Sequence, residues 1–429
     1  MALDIEVPPT RARRHHVIDH TRDLSEHVAE YGHLPLPATR DRAWQQTMVD
    51  RLQISGILGR GGAGFPSSIK LAGAVSGNGS GVVVVNGMEG EPASDKDKVL
   101  LSRAPHLVLD GAQLLAAATG ASRILVCIPT GRDVIAALVQ NAVEERLRQR
   151  FAPIPETIVR PPNRFVAGEE SALVQWISNG RSLPMFRPDK SVPLRIGRSR
   201  ALVHNAETLA HIALIARQGP EPFLSCGTPT EPGTMLVTVT GAVLHPGVVE
   251  VDRGTPIDRI VSLAHPSGGI MALLVGGYGG SWIAPEHFSF PYSAAALRSV
   301  GASAGVGVIV VLETPSCGLA ETARVAHYLA QQSSGQCGPC VFGLPAIAAD
   351  LALLAQGKAE AGLMSRLVRR LGAVEGRGAC HHPDGVVTMI RSALDVFADD
   401  VAAHGRGEPC AHWARPTQLR FPDQRSERS

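Results

Sequence analysis

The sequence predicts an α/β protein with a largely parallel sheet, followed by a small β-grasp-like module and a C-terminal bundle of four helices. Three observations predict this. In the first half, short β-branched runs alternate with longer segments of helical spacing: VVVVNG (82–87), HLVLDGAQLLAAAT (106–119), RILVCIP (123–129) and TGRDVIAALVQNAVEERLRQR (130–150). Next, MLVTVTGAVLHPGVVEVDRGTP (235–256) gives two β-runs around a Pro-Gly turn, and IDRIVSLA (257–264) then reads as a helix. Beyond Cys317 the spacing is helical almost throughout, with candidate helices at 319–332, 341–357, 364–374 and 387–404.

Taken in order, residues 1–40 are polar and Pro-rich and read as a flexible arm. A helix over 41–58 leads into a glycine loop, and the first α/β unit is placed at 41–225. The Pro-rich stretch 218–234 reads as a linker. The β module follows at 226–315, with GASAGVGVIVVLE (301–313) supplying its last strand; the helical unit is placed at 316–411 and a polar, frayed tail at 412–429.

Composition narrows the function classes. The chain has 429 residues, 44% hydrophobic and only 4% aromatic, with 45 Gly and 31 Pro, which suits a loop-rich α/β protein. A net charge of +2 gives no electrostatic case for nucleic acid or an anionic membrane. No apolar run approaches the ~18 residues of a membrane span. The N-terminus lacks the apolar core of a signal peptide, so a cytoplasmic location is expected. Seven cysteines, an odd count in a long chain, argue against a disulfide framework.

The motif around which the rest is organised is GRGGAGFPSSIK (59–70). Gly59, Gly61, Gly62 and Gly64 let the backbone approach a ligand, and Arg60 and Lys70 add positive charge, a combination suited to phosphate. Gly59-x-Gly61-x-x-Gly64 alone is weak evidence. The preceding segment is helical rather than a strand, and no acid lies between Phe65 and Met88, so an ordinary dinucleotide turn is not expected. It reads as a nucleotide-phosphate loop of another pattern, with a purely structural glycine turn as the plain alternative.

Other constellations carry chemistry too. Asn86–Gly87–Met88–Glu89–Gly90–Glu91–Pro92 closes a strand, where open α/β sheets place ligands, and its glutamates can bind ribose hydroxyls or a carboxamide; a solvated acidic turn is the plain alternative. Gly168, Glu169 and Glu170 precede a helix, whose dipole favours carboxylates whether or not a ligand binds. His204, Asn205 and Thr208 surround another helix start, with Asn205 a candidate cap and phosphate a candidate ligand. Cys337-x-x-Cys340 with Cys380 suits an iron–sulfur cluster or zinc, although a redox pair also fits the first two. Cys127, Cys226 and Cys410 read as packing.

These segments, in this order and spacing, resemble the flavin- and NADH-binding 51-kDa (F) subunit of respiratory complex I, and its relatives, the diaphorase subunits of NAD-reducing hydrogenases and formate dehydrogenases. The resemblance covers about residues 50–400 through GRGGAGFP with Lys70, N-x-x-EGEP, K-D-K, GEE-S-AL, N-x-ETLA and the C-terminal cysteines. It implies an FMN-binding α/β domain, a ubiquitin-like β-grasp domain and a helical bundle carrying a 4Fe–4S cluster. It further implies hydride transfer from NADH to FMN and single-electron transfer onward, to a ferredoxin or another iron–sulfur subunit, the chain being part of a larger complex. Gly59, Gly61, Gly62, Gly64, Lys70, Asn86, Glu89, Gly168 and Asn205 would border FMN, with Arg60, Glu169, His204 and Thr208 in the same cofactor-binding segments. Phe65 would stack on adenine, and Arg187 stands where the family has a lysine near the dinucleotide. Glu91 and Glu170 would face the nicotinamide half as the catalytic pair. NADH is not distinguished from NADPH.

The departures from the family pattern are specific. Met88 replaces an aspartate, His204 an asparagine, and Gly73 a second aromatic at the adenine slot. In the cluster motif Ser334 takes the first cysteine's place, leaving Cys337, Cys340 and Cys380 as thiolates. The cysteine set for the cluster is therefore incomplete, with Ser334, His381 or His382 as fourth ligand, a three-iron cluster or no cluster as the alternatives. A zinc-stabilised bundle and a scaffold that has lost its NADH chemistry are the competing readings.

Overall fold

The computed structural model describes residues 16–18, 23–37, 41–76, 81–187 and 192–422. The first sheet contains β1 (Gly81–Asn86), β2 (Ala121–Cys127), β3 (Glu156–Val159), β4 (Arg195–Ile196) and β5 (Ser199–Asn205), in the order β3-β2-β1-β5-β4. Strand β1 runs parallel to both β2 and β5, β2 parallel to β3, and only the short edge strand β4 is antiparallel. The period of two in a strand explains the valine run of β1. Val83 and Val85 enter one apolar core with helix Pro105–Thr119, while Val82 and Val84 enter another with Leu173 and Val203.

Helix Pro105–Thr119 lies against helix Ala206–Gln218 at backbone contact distance. A Cβ on Gly111 would stand 2.1 Å from the Leu209 carbonyl oxygen, so only glycine permits this approach.

The second sheet contains β6 (Thr234–Gly241), β7 (Gly247–Asp252), β8 (Ile270–Val275), β9 (Ser281–Ile283) and β10 (Val308–Glu313), in the order β7-β6-β10-β8-β9. Strand β10 is parallel to β6 and antiparallel to β8. After it come helices Gly318–Gln331, Leu344–Ala355, Leu363–Val374, His382–Val396 and Ala398–Gly405. Leu363, Leu367, Leu371 and Val374 form the buried stripe of the third.

Several segments differ from the sequence expectation. Within 1–40, Leu24–Tyr31 is a helix with Leu24 and His27 buried, and the Val17 and Ile18 N–H groups donate to Glu250 Oε2 (2.9 and 3.2 Å). These polar contacts to distant elements tie down a stretch whose composition reads as loose. The 218–234 linker buries Phe223 against Gly233. The helix expected over 387–404 begins at His382 and breaks at Phe397, whose buried ring takes φ −108°, ψ 34°. The tail packs as far as residue 422: Leu419 is buried and Phe421 lies against Tyr278 and Tyr328. Residues 423–429 lie outside the described residues. Among the described residues no helix is long and apolar enough to cross a membrane.

Candidate functional site

The chain runs from β1 outward through β2 to β3, then returns to place β5 on the other side of β1. A parallel sheet reverses its direction of winding at such a point, and a crevice opens at the carboxyl ends of the two strands. Asn86 ends β1, Asn205 ends β5, and the two are register partners. Three loops converge on them.

The first is the glycine loop. The Gly59 N–H donates to the Phe65 carbonyl (2.9 Å), closing the turn, and Gly62 and Gly64 take φ +100° and +61°. A Cβ on Gly61 would lie 3.6 Å from Asn205 Cβ, so the loop rests on the end of β5. Phe65 leaves 40% of its surface open, and a Cβ on Gly73 would meet nothing within 4 Å. The second is the turn before helix Glu170–Asn179. The Asn86 side-chain amide donates to the Gly168 carbonyl (2.9 Å), and Glu169 caps the helix by accepting the Ser171 and Ala172 N–H groups. The third is the start of helix Ala206–Gln218, which Asn205 caps by accepting the Glu207 N–H (3.1 Å).

Lys70 reaches across from the helix after the glycine loop. Its Nζ donates to Glu170 Oε1 and to the Val203 carbonyl, both at 2.9 Å, and both side chains remain about a quarter to a third exposed. Behind Asn205 lies a buried charge cluster: Lys96 Nζ contacts Asp97 (2.9 Å), Glu207 (2.9 Å) and Asn205 Oδ1 (3.1 Å). Burial alone would lower the Lys96 pKa, but Asp97 and Glu207 outweigh it and raise it. These residues were not singled out from the sequence; the available signal was the K-D-K run and the glutamate of N-x-ETLA.

Other expected site residues look elsewhere. Arg60 is buried: it lies 3.7 Å from Glu207, and it donates to the Thr234 carbonyl (3.0 Å). Burial lowers its pKa to about 10 despite Glu207. It braces the loop against the second sheet instead of facing a phosphate. Thr208 is a tether, its hydroxyl accepting the Arg60 N–H (2.9 Å). Glu89 is buried and caps helix Lys96–Arg103 through the Asp97 and Lys98 N–H groups (2.9 and 3.1 Å). Glu91 is only 8% exposed. Its oxygens accept the Tyr278 N–H (2.9 Å) and the Ala93 N–H (3.2 Å), so it joins the first sheet's loop to the turn after β8. Burial, acting before any neighbour, raises its pKa to about 7. The two candidate catalytic carboxylates thus have different partners, and only Glu170 is paired with Lys70. Met88 packs into the apolar core beneath Gly168. His204 is buried, its Nε2 has no hydrogen-bond partner, and burial followed by the nearby Lys70 charge holds its pKa well below the usual value. Arg187 donates to the Val192 carbonyl (2.5 Å).

The cysteine motif forms a second constellation after helix Gly318–Gln331. A π-turn over Pro339–Gly343 holds buried Cys340 beside Cys337 and Ser334. Cys380 lies within electrostatic reach of Cys337, Cys340 and Glu169. Burial first, then these neighbours, pushes the Cys340 and Cys380 thiols up to about 11. Three thiols and one hydroxyl are therefore gathered. The two histidines are engaged elsewhere: His382 Nε2 bonds the Leu329 carbonyl (2.9 Å), and exposed His381 pairs with Asp384 (3.3 Å).

Residues 52–214 match the Nuo51 FMN-binding domain, and residues 320–404 match the NADH-ubiquinone oxidoreductase-F iron-sulfur binding region. This chain belongs to the 51-kDa (F) family of complex I subunits. It is similar to the second F-type subunit of NADH-quinone oxidoreductase in Rhizobium meliloti (strain 1021), with 25% identity over 402 residues, 90% of this chain and 95% of that protein. The NADP-reducing hydrogenase subunit HndC of Solidesulfovibrio fructosivorans is 26% identical over 380 residues, 85% of this chain and 77% of that protein. Among solved structures, an NAD+-reducing NiFe-hydrogenase in the air-oxidized state superposes with a TM-score of 0.78 at 27% identity, covering 84% of this chain. The chain spans 63% of that hydrogenase chain's length. The FMN-binding match contains the three loops described above, and the iron-sulfur match contains Ser334, Cys337, Cys340 and Cys380.

Proposed function

We propose that this chain is the electron-input flavoprotein of a multi-subunit redox assembly, an NADH:acceptor oxidoreductase working through FMN and an iron–sulfur cluster. The observation that carries this reading is the convergence of the glycine loop, Lys70, Asn86 and Asn205 on the switch point of a parallel sheet, inside the segment that matches an FMN-binding domain.

The residues fit a flavin nucleotide. Lys70 and the N-terminus of helix Ala206–Gln218 supply positive potential for a phosphate, and the glycine backbone leaves room beside it. The partly exposed Phe65 ring and the open space at Gly73 leave room for a flat adenine ring to stack. FMN supplies hydride acceptance and one-electron release, and a cluster held by Cys337, Cys340, Cys380 and Ser334 Oγ supplies the outlet. Glu170 orients the nicotinamide half and, through Lys70, couples its placement to the phosphate end. Glu91 acts as a positioning residue that clamps the turn after β8 over the site. Asn86 and Asn205 fix the floor. No proton donor is assigned, since hydride transfer depends on proximity and stacking.

The order β7-β6-β10-β8-β9 supports reading 226–315 as a ubiquitin-like β-grasp unit between the FMN unit at 41–225 and an iron–sulfur bundle at 316–411. A ferredoxin-like iron–sulfur subunit is the proposed acceptor, by analogy with relatives that are subunits of complexes. Free thiols at all seven cysteines suit a cytoplasmic, reducing location.

The test is reconstitution with FMN followed by NADH-dependent reduction of a one-electron acceptor. One FMN per chain and flavin-dependent turnover are expected. Failure to retain FMN would remove the reading.

A further inference from the structure

A second group of metal-type donors lies at the other end of helix Gly318–Gln331 from Ser334. At 1.5 Å per residue this helix separates its two ends by about 20 Å, so the group is distinct from the cluster thiols. Cys317 caps the helix start, its Sγ accepting the Ala320 N–H (3.3 Å). His404 closes the last helix and Cys410 follows in the loop after it. The Cys317 Sγ, Cys410 Sγ and one ring nitrogen of His404 all lie within 4.8 Å of one another. We propose that Cys317, His404 and Cys410 bind one zinc-class divalent ion.

Four observations carry this. First, the donors are soft thiols and an imidazole, the set that selects zinc over magnesium or calcium. Second, the spacing fits. Bonds of about 2.1 Å to nitrogen and 2.3 Å to sulfur place neighbouring donors of a tetrahedron about 3.6 Å apart, and Cys317 Sγ stands 3.8 Å from His404 Nε2. Third, the imidazole is oriented for metal. His404 Nδ1 is 3.0 Å from the Ala355 carbonyl, which fixes the proton there and leaves the Nε2 lone pair facing the thiols. The Cys410 N–H now donates to that lone pair (3.1 Å), and an ion takes its place. Fourth, polar atoms around the group lack partners. His412 Nδ1 and Asp400 Oδ2 are buried with no hydrogen bond, and Asp400 lies within electrostatic reach of Cys317, His404 and His412. A cavity of about 140 Å³ lined by Cys317, His412 and Glu321 gives the ion an entry path.

Binding releases the two thiol protons to solvent and leaves no oxidation-state change, so no co-reactant is needed. The site pins the residue before helix Gly318–Gln331 to helix Ala398–Gly405 and the loop beyond it, a structural rather than catalytic role.

The experiment uses the full chain carrying Cys337→Ser and Cys340→Ser, so that cluster iron does not obscure the reading, titrated anaerobically with Co²⁺ alone and then with Zn²⁺. One Co²⁺ per chain with thiolate-to-cobalt charge-transfer absorption, displaced by one Zn²⁺, is expected. Cys317→Ser or Cys410→Ser should weaken zinc binding by at least ~100-fold. In the otherwise unaltered chain, Zn²⁺ should protect Cys317 and Cys410 from alkylation, a readout that survives any folding defect in the variants. Absence of cobalt uptake, cobalt retained without both thiols, unprotected alkylation, or a Cys317–Cys410 disulfide in anaerobically purified protein would each overturn the site.

Discussion

Replacing Lys70 with Met separates a binding role from a folding role. In the free protein Lys70 Nζ holds Glu170 Oε1 and the Val203 carbonyl at 2.9 Å. Both partners of the ion pair are partly exposed, 26% and 32%, so solvent screens it and its loss should destabilise the fold by less than about 1 kcal/mol. A phosphate in the glycine loop would lose a charge-assisted hydrogen bond, which is worth about 1.5–3 kcal/mol. That range corresponds to roughly 10- to 150-fold weaker FMN binding. Quenching of flavin fluorescence on titration into apoprotein measures the affinity, and urea unfolding of the same apoprotein measures stability. The outcome that refutes the assignment is FMN affinity within twofold of the parent. A large stability loss accompanied by proportionate FMN loss would likewise show that Lys70 is only a brace.

Three further outcomes follow from other parts of the structure. Ser334→Cys should raise bound iron and sulfide per chain and strengthen the cluster's EPR signal, because Ser334 already contacts Cys340; unchanged iron content would place Ser334 outside the ligand set. Glu91 is held near 7 against an ordinary 4.5, so its contribution to stability is fully present below pH 4.5 and is lost as pH rises through 7. Glu91→Gln removes that dependence: relative to the variant, the parent should lose about 3 kcal/mol between pH 4.5 and 8 in urea unfolding, and a pH-independent difference would contradict the burial argument. Asp110 is buried among His27 (2.7 Å), Arg146 (2.7 Å) and Arg217; burial alone would raise its pKa, but Arg146, His27 and Arg217 drive it below the carboxylate range. Its stabilisation is present above pH 3.8 and disappears as pH falls through the depressed folded value, and Asp110→Asn should destabilise by about 3–5 kcal/mol at neutral pH. A loss below 1 kcal/mol in denaturant unfolding would count against the network.

Much of the fold could be read from pattern because its strongest elements are also its most periodic. The valines of β1 and the apolar spacing of Pro105–Thr119 announce themselves locally. Strand β5 did not: ALVHN runs straight into a helix, and its strand character comes from pairing with β1, a partner more than a hundred residues away. The N-terminal helix escaped for the same reason, since buried Glu250 and Asp110 hold that region from a distance. At the site, the glycine loop, Lys70 and the paired asparagines come together at the carboxyl ends of β1 and β5. Side-chain direction was not legible. Arg60 and Glu91 sit inside ligand-type motifs yet turn toward the second sheet, and nothing in a motif records which way a buried charge finds its partner. Cys317, His404 and Cys410 were missed because sequence spacing of 87 and 6 residues carries no ligand signature until the helices fold together.

The most direct measurement is an anaerobic visible absorption spectrum of the purified, FMN-reconstituted protein before and after NADH. A protein-bound flavin band should bleach when NADH is added and return with an oxidant, with the bleaching slowed in Glu170→Gln. Bound flavin that stays oxidised in excess NADH, or a protein that holds no flavin, would contradict it.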